Sequence, residues 1–91
     1  MRRDIIWTSQ FKADYKLAQK RRFDIALLDD CIRMLAAGED LTPKYSDHNL
    51  TGRWAGHREC HIKPDWLLVY RIEKNNLILI LARTGSHSDL F

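Results

Sequence analysis

The stretch HRECHIKPDW (57–66) crowds two histidines, two acids, an arginine and a lysine into ten positions. Only two more histidines exist, His48 shortly before it and His87 near the C-terminus. Such residues can hold a metal, move protons, or cover a polar strand edge. In a strand, His57 and His61 share a face but stand about 13 Å apart, at about 3.3 Å per residue. One tetrahedral ion cannot reach both at about 2 Å. Cys60 points to the opposite face, and neither CxxC nor HExxH occurs. Any metal site must therefore be gathered from distant positions such as His48, His61 and His87. Nucleophilic catalysis fits less well, because no serine or cysteine sits in a nucleophile-elbow pattern.

General acid–base chemistry on RNA needs little beyond what is here. RNA supplies its own nucleophile, the 2′-hydroxyl. An enzyme must take that proton, give one to the departing 5′-oxygen, and stabilise charge on the phosphate. Histidine serves as acid or base near neutral pH, and a carboxylate acts as base or orients a histidine. Arginine and lysine stabilise phosphate charge, and aromatics stack on bases. His48, His61, Asp65, His87, Arg83 and Phe91 can meet at one end of a sheet. Each also has a plainer reading. His48 and His57 can be surface histidines, Asp65 a turn residue after Pro64, and Trp66 a core aromatic. Arg83 can be an ion-pair partner and Phe91 a staple for the tail.

The elements that must position these residues follow from periodicity. Ninety-one residues make one domain, 1–91, with a modest core. DIIW (4–7) is β-prone. Thr8 or Ser9 can cap a helix carrying Phe11, Tyr15 and Ala18 at helical spacing. The segment from Lys12 to Arg22 holds five basic residues and one acid, a cationic face made of Lys12, Lys16, Lys20, Arg21 and Arg22. Asp24 can cap a second helix with the stripe Ile25, Leu28, Ile32 and Leu35, ended by Gly38. A loop follows over 39–52. The period then becomes two. RWAGHRECHI (53–62) reads as a mixed strand, and 66–72 and 76–84 as central strands. The order is β-α-α-β-β-β, an α+β domain with a helical hairpin packed on a mainly antiparallel sheet.

Net charge is +3, which suits a nucleic acid or an acidic protein partner. No signal peptide and no membrane span is expected, and Cys31 and Cys60 read as reduced core cysteines of a cytoplasmic protein.

The segments YSDHNLTGRWAGHRECHIKPDWLLVY (45–70), RTGSHSDLF (83–91) and DYKLAQKR (14–21) resemble the YafQ branch of the RelE toxin superfamily. The likeness runs from about residue 4 to the end and agrees with that family's compact, microbial-RNase-like fold. It implies a toxin of a type II toxin–antitoxin system, an endoribonuclease that cuts mRNA in the ribosomal A site without a metal or other cofactor. A cognate antitoxin is implied, an acidic segment joined to a DNA-binding dimerisation domain, with the complex on operator DNA. The family motif puts active roles on His48, His61, Asp65 and His87, with Phe91 assisting. Trp66 beside Asp65 and Arg83 are expected substrate contacts, and the cationic face a ribosomal RNA contact. His87 is expected as the acid, Asp65 or His61 as the base with the other orienting it. Two further readings remain: a binding module without chemistry, and a gyrase-directed toxin of the ParE branch, which works without the histidine set.

Overall fold

The computed structural model describes residues 2–91. Strand β1 (Asp4–Trp7) leads into helices α1 (Ser9–Lys20) and α2 (Ile25–Ala36). Strands β2 (His48–Asn49), β3 (Arg58–Lys63), β4 (Trp66–Glu73) and β5 (Ile78–Gly85) follow, then a short helix α3 (His87–Leu90). The five strands form one sheet in the order β1-β5-β4-β3-β2, with β1 parallel to β5 and all other pairs antiparallel. This is the expected α+β architecture.

The helices end and begin as local chemistry dictates. Thr8 caps α1, accepting from the Phe11 amide at 3.1 Å. After α2, Gly38 adopts φ +81°, and the amides of Gly38 and Glu39 close onto Leu35 and Met34. Helix α1 closes the same way, but with Arg22 at φ +59° where glycine is usual. Asp24 stands at the N-cap of α2 without the expected side-chain hydrogen bond.

Leu68, Tyr70, Leu79, Leu81 and Cys60 face Phe11, Leu28, Cys31, Ile32 and Leu35 in the main core. The Cys31 and Cys60 sulfurs lie 3.5 Å apart, both reduced and buried. Their mutual hydrogen bond and their burial push the Cys60 thiol up, which keeps it protonated and inert. The opposite sheet face carries a smaller cluster, Leu67, Val69, Ala82 and Leu90, with Leu50 and Trp54 against it.

Where β1 stops at Trp7, side chains finish the ladder along β5. The Thr8 hydroxyl reaches the carbonyls of Leu81 and Ala82 at 3.0 and 3.1 Å. Asp14 accepts the Thr84 amide at 3.1 Å and the Arg83 guanidinium at 2.7 Å.

Three boundaries differ from the sequence reading. The strand expected from residue 53 starts only at Arg58. Gly52 and Gly56, at φ +66° and +88°, bend the preceding residues into a 3₁₀ turn, Gly52–Trp54. The loop over 39–52 contributes the two-residue β2. The C-terminal tail is helical, because Ser86 and Asp89 form a reciprocal capping box. Among the described residues no helix is long and apolar enough to cross a membrane.

Candidate active site

On the sheet face away from the long helices, the register brings distant residues together. Glu59 lies opposite His48 on one side and Val69 on the other, and His61 lies opposite Leu67. Leu67 in turn pairs with Gly85, from which α3 carries His87 back over the sheet. The rings of His48 and His61 are 6.2 Å apart, and those of His61 and His87 5.8 Å.

The Glu59 carboxylate sits at the centre, only 6% exposed. One oxygen is 3.1 Å from His48 Nε2, the other 3.8 Å from His87 Nε2. His48 Nδ1 lies 2.8 Å from the Ser46 carbonyl. A carbonyl only accepts, so Nδ1 carries the hydrogen and Nε2 is the nitrogen facing the carboxylate. The His48 ring is thus held at both nitrogens, by a backbone carbonyl on one side and the Glu59 carboxylate on the other. The loop bearing His48 is fixed by Asp47, which accepts from the Tyr70 hydroxyl and, at 2.7 Å, from the Arg58 guanidinium.

His87 is held from its other side. Its Nδ1 donates to Asp65 Oδ1 at 2.9 Å, and its backbone amide reaches the same oxygen at 3.2 Å. These bonds hold the Asp65 carboxyl below the usual carboxylate range, the side-chain bond first. Asp65 therefore orients His87, and the expected partnership with His61 is not formed. His61 has no hydrogen-bond partner at its buried Nδ1, which leaves Nε2 as the nitrogen able to exchange a proton with a substrate.

His48, His61, Asp65 and His87 thus converge as expected. Phe91 is exposed beside them, its ring 6.2 Å from that of Trp54. Two expectations need correction. Trp66 is 3% exposed, packs on Phe23, and gives its indole N–H to Thr84 at 3.0 Å, so it is a core residue rather than a base platform. Arg83 is anchored in a half-buried ion pair, its Nε and Nη2 donating to Asp14 at 2.7 and 3.2 Å, which leaves only Nη1 unbound among the described residues and makes the ion-pair role its main one. On the cationic face, Arg21 is bound to Asp89 at 2.8 Å and ties α1 to α3. Lys12, Lys16, Lys20 and Arg22 are exposed and, among the described residues, free of ion pairs.

Sequence reasoning passed over Glu59, although strict alternation already put it on the face of His61. It also passed over Trp54, whose ring bridges His57 and Phe91. His57 is half-buried against Trp54 and outside the cluster. Glu59, His61 and His87 offer one ligand atom each within 4.8 Å of one another. That set could hold a cation, and His57 has no part in it.

A family model described as a bacterial toxin of type II toxin–antitoxin system, YafQ, matches residues 3–91. The mRNA interferase toxin YafQ of Escherichia coli K12 is 39% identical over 92 aligned positions, covering 100% of this chain and 98% of the relative. Among solved structures, the toxin in the E. coli DinJ–YafQ toxin–antitoxin complex superimposes with a TM-score of 0.91 at 39% identity, covering 100% of this chain and 99% of that one. A metal-bound toxin from Helicobacter pylori does so with a TM-score of 0.91 at 46% identity, covering both chains fully.

Proposed function

The chain belongs to the YafQ family of toxins of type II toxin–antitoxin systems, and from that premise we propose that it is an endoribonuclease acting on mRNA by metal-independent general acid–base catalysis. The observation that carries the mechanism is the Asp65–His87 pair, 2.9 Å at Nδ1, with Nε2 turned towards Glu59. A carboxylate behind one nitrogen fixes the tautomer and aims the other at the reacting atoms.

In this scheme His61 Nε2 takes the proton from the ribose 2′-hydroxyl. The 2′-oxygen bonds to phosphorus, and the bond from phosphorus to the 5′-oxygen breaks. His87 Nε2 gives its proton to that departing oxygen. The products are a 2′,3′-cyclic phosphate and a free 5′-hydroxyl. His48, paired to Glu59, places positive charge by the phosphate. Glu59 stabilises whichever ring is protonated. Phe91 and Trp54 offer faces for a base. Asp65 orients His87 through Oδ1 in this scheme, and the base role is assigned to His61.

Lys12, Lys16, Lys20 and Arg22 give a ribosomal RNA contact, and cutting takes place in the ribosomal A site in the cytoplasm. The E. coli relative was crystallised with the antitoxin DinJ. A cognate antitoxin whose acidic segment covers this basic surface follows, with its DNA-binding domain carrying the complex to operator DNA. A non-catalytic RNA binder has no use for a buried carboxylate ringed by histidines, and a gyrase-directed toxin none for the His87–Asp65 pair.

Mapping cut ends by primer extension in a translating extract tests this, with and without ribosomes. Cyclic-phosphate ends that persist in chelator on a minimal RNA are expected. Products with a 5′-phosphate, or cleavage lost in chelator and restored by zinc, would overturn the scheme. A second reading concerns metal. Glu59, His61 and His87 fit a divalent cation by donor type and spacing, and a similar toxin from H. pylori is metal-bound. An ion there occupies the lone pairs that exchange protons, so zinc is expected to inhibit cleavage.

A further inference from the structure

Beyond the histidine cluster, His61 opens on its outer side into a trough. One cavity of about 570 Å³ is lined by Lys44, Ser46, His61 and Lys63. A second, of about 230 Å³, adjoins it over Leu27, Tyr45 and Ile62 and shares Lys44, His61 and Lys63. Two cations and a candidate catalytic imidazole thus border an apolar floor.

Both lysines are exposed, and among the described residues neither is paired with a carboxylate. Lys44 is not freely mobile. Its ammonium stands 5.1 Å from the centre of the Tyr45 ring, which holds the charge at the rim. An irregularity in the ladder between His61 and Lys63 turns the end of β3 and re-aims Lys63. Two exposed cations on the border of cavities that also reach His61 offer their charge to an anion bound there. No carboxylate of the described residues fills that role.

We propose that this trough is a nucleotide subsite: Lys44 and Lys63 bind the phosphodiester next to the one being cut, and the attached base lies against the half-buried Leu27 and Ile62. The inference rests on the reading of the site as ribonucleolytic and adds where the strand runs on leaving it. Single-stranded RNA fits this site better than a duplex, because a base must leave its stack to reach the floor. The lysines thereby fix the register of the strand relative to His61.

The test uses the full chain and a short RNA made non-cleavable by a 2′-O-methyl group, with one neutral methylphosphonate moved along its linkages. Binding is read by fluorescence anisotropy. For the wild type, one linkage next to the blocked position should weaken binding about fivefold when neutralised, the effect of removing a charge-assisted hydrogen bond. For Lys44→Gln/Lys63→Gln, that linkage should become indifferent. Its salt slope should fall by about 0.7 for each phosphate that the protein no longer neutralises. Lys16→Gln/Lys20→Gln should lower the slope while keeping the linkage-specific effect, and Lys44→Arg/Lys63→Arg should restore it. Equal sensitivity of wild type and double glutamine variant at every linkage overturns the subsite, as does absence of wild-type binding. If the linkage effect is seen but unmodified RNA is never cleaved, on or off the ribosome, the subsite stands and the ribonuclease reading fails.

Discussion

Replacing Asp65 with Asn tests the acid–base assignment most directly. The substitution keeps size and shape. An amide oxygen can still accept from His87 Nδ1 at 2.9 Å and from its amide at 3.2 Å, but the negative charge is gone. In the native protein the His87 bonds hold Asp65 below the ordinary carboxylate range. The carboxylate thus accepts both His87 bonds as an anion. The carboxylate fixes the tautomer and orientation of the His87 ring, and a neutral amide in its place holds that ring less firmly. The pair is largely solvent-exposed, 53% and 72%, so screening tempers the effect. A general acid contributes about 10²–10⁴-fold, and we expect Asp65→Asn to lose about 10- to 100-fold of that. His87→Ala should lose the full factor. The double variant should be no worse than His87→Ala alone, because Asp65 works through His87. The assay is single-turnover cleavage of a minimal RNA from pH 5 to 9. If the two losses multiply in the double variant, Asp65 acts on the substrate by itself and the orienting role is wrong.

Three other outcomes follow from the same geometry. A Cβ on Gly85 would stand 3.1 Å from Asp89, which is pinned by Arg21 and Ser86; Gly85→Ala should therefore shift α3 and lower cleavage more than about tenfold, with a melting temperature shifted by only a few degrees. Asp89 is pulled down to about 2, by Arg21 first, so its bridge contributes stability above pH 4 that is lost as pH falls through about 2; Arg21→Gln should cost about 1 kcal/mol at pH 7 in urea unfolding, and the gap to wild type should narrow below pH 4 and close only below about pH 2. Arg83→Met leaves the buried Asp14 carboxylate with the Thr84 amide and the Gln10 side chain but without its cation; denaturation should show a loss of about 2–3 kcal/mol, and cleavage per folded molecule should stay within about tenfold of wild type if phosphate contact is not its task.

The helices and central strands were legible because burial writes its period into the chain. The stripe Ile25, Leu28, Ile32 and Leu35 becomes one face of α2, and the unbroken apolar runs of β4 and β5 become the middle of the sheet. The boundaries that misled were set by single backbone conformations. Gly56 lies within an alternating pattern, yet its left-handed φ breaks the strand there. The tail holds few apolar residues, so its helix was invisible to periodicity. Ser86 and Asp89 make it helical through two side-chain bonds, and Leu90 anchors it in the lesser core.

The site was legible in its residue types and less so in its pairings. Two candidates that chemistry alone recommends, Trp66 and Arg83, are spent on the fold. Each sits where a backbone or side-chain polar group needs a partner: Trp66 donates to Thr84, and Arg83 neutralises Asp14 beyond the end of β1. Sequence distance hid both partners, which lie 18 and 69 residues away. Glu59 was hidden for the opposite reason. A glutamate next to an arginine in an outer strand reads as solvent-facing. Its burial comes from outside its own strand, because His48 from β2 and His87 from α3 close over it. A buried carboxylate is tolerated only where cations or donors surround it. The histidines therefore make Glu59 possible as much as Glu59 organises the histidines. Glu59→Gln should accordingly unseat His48 and His87 together, and single-turnover cleavage should fall by more than about tenfold.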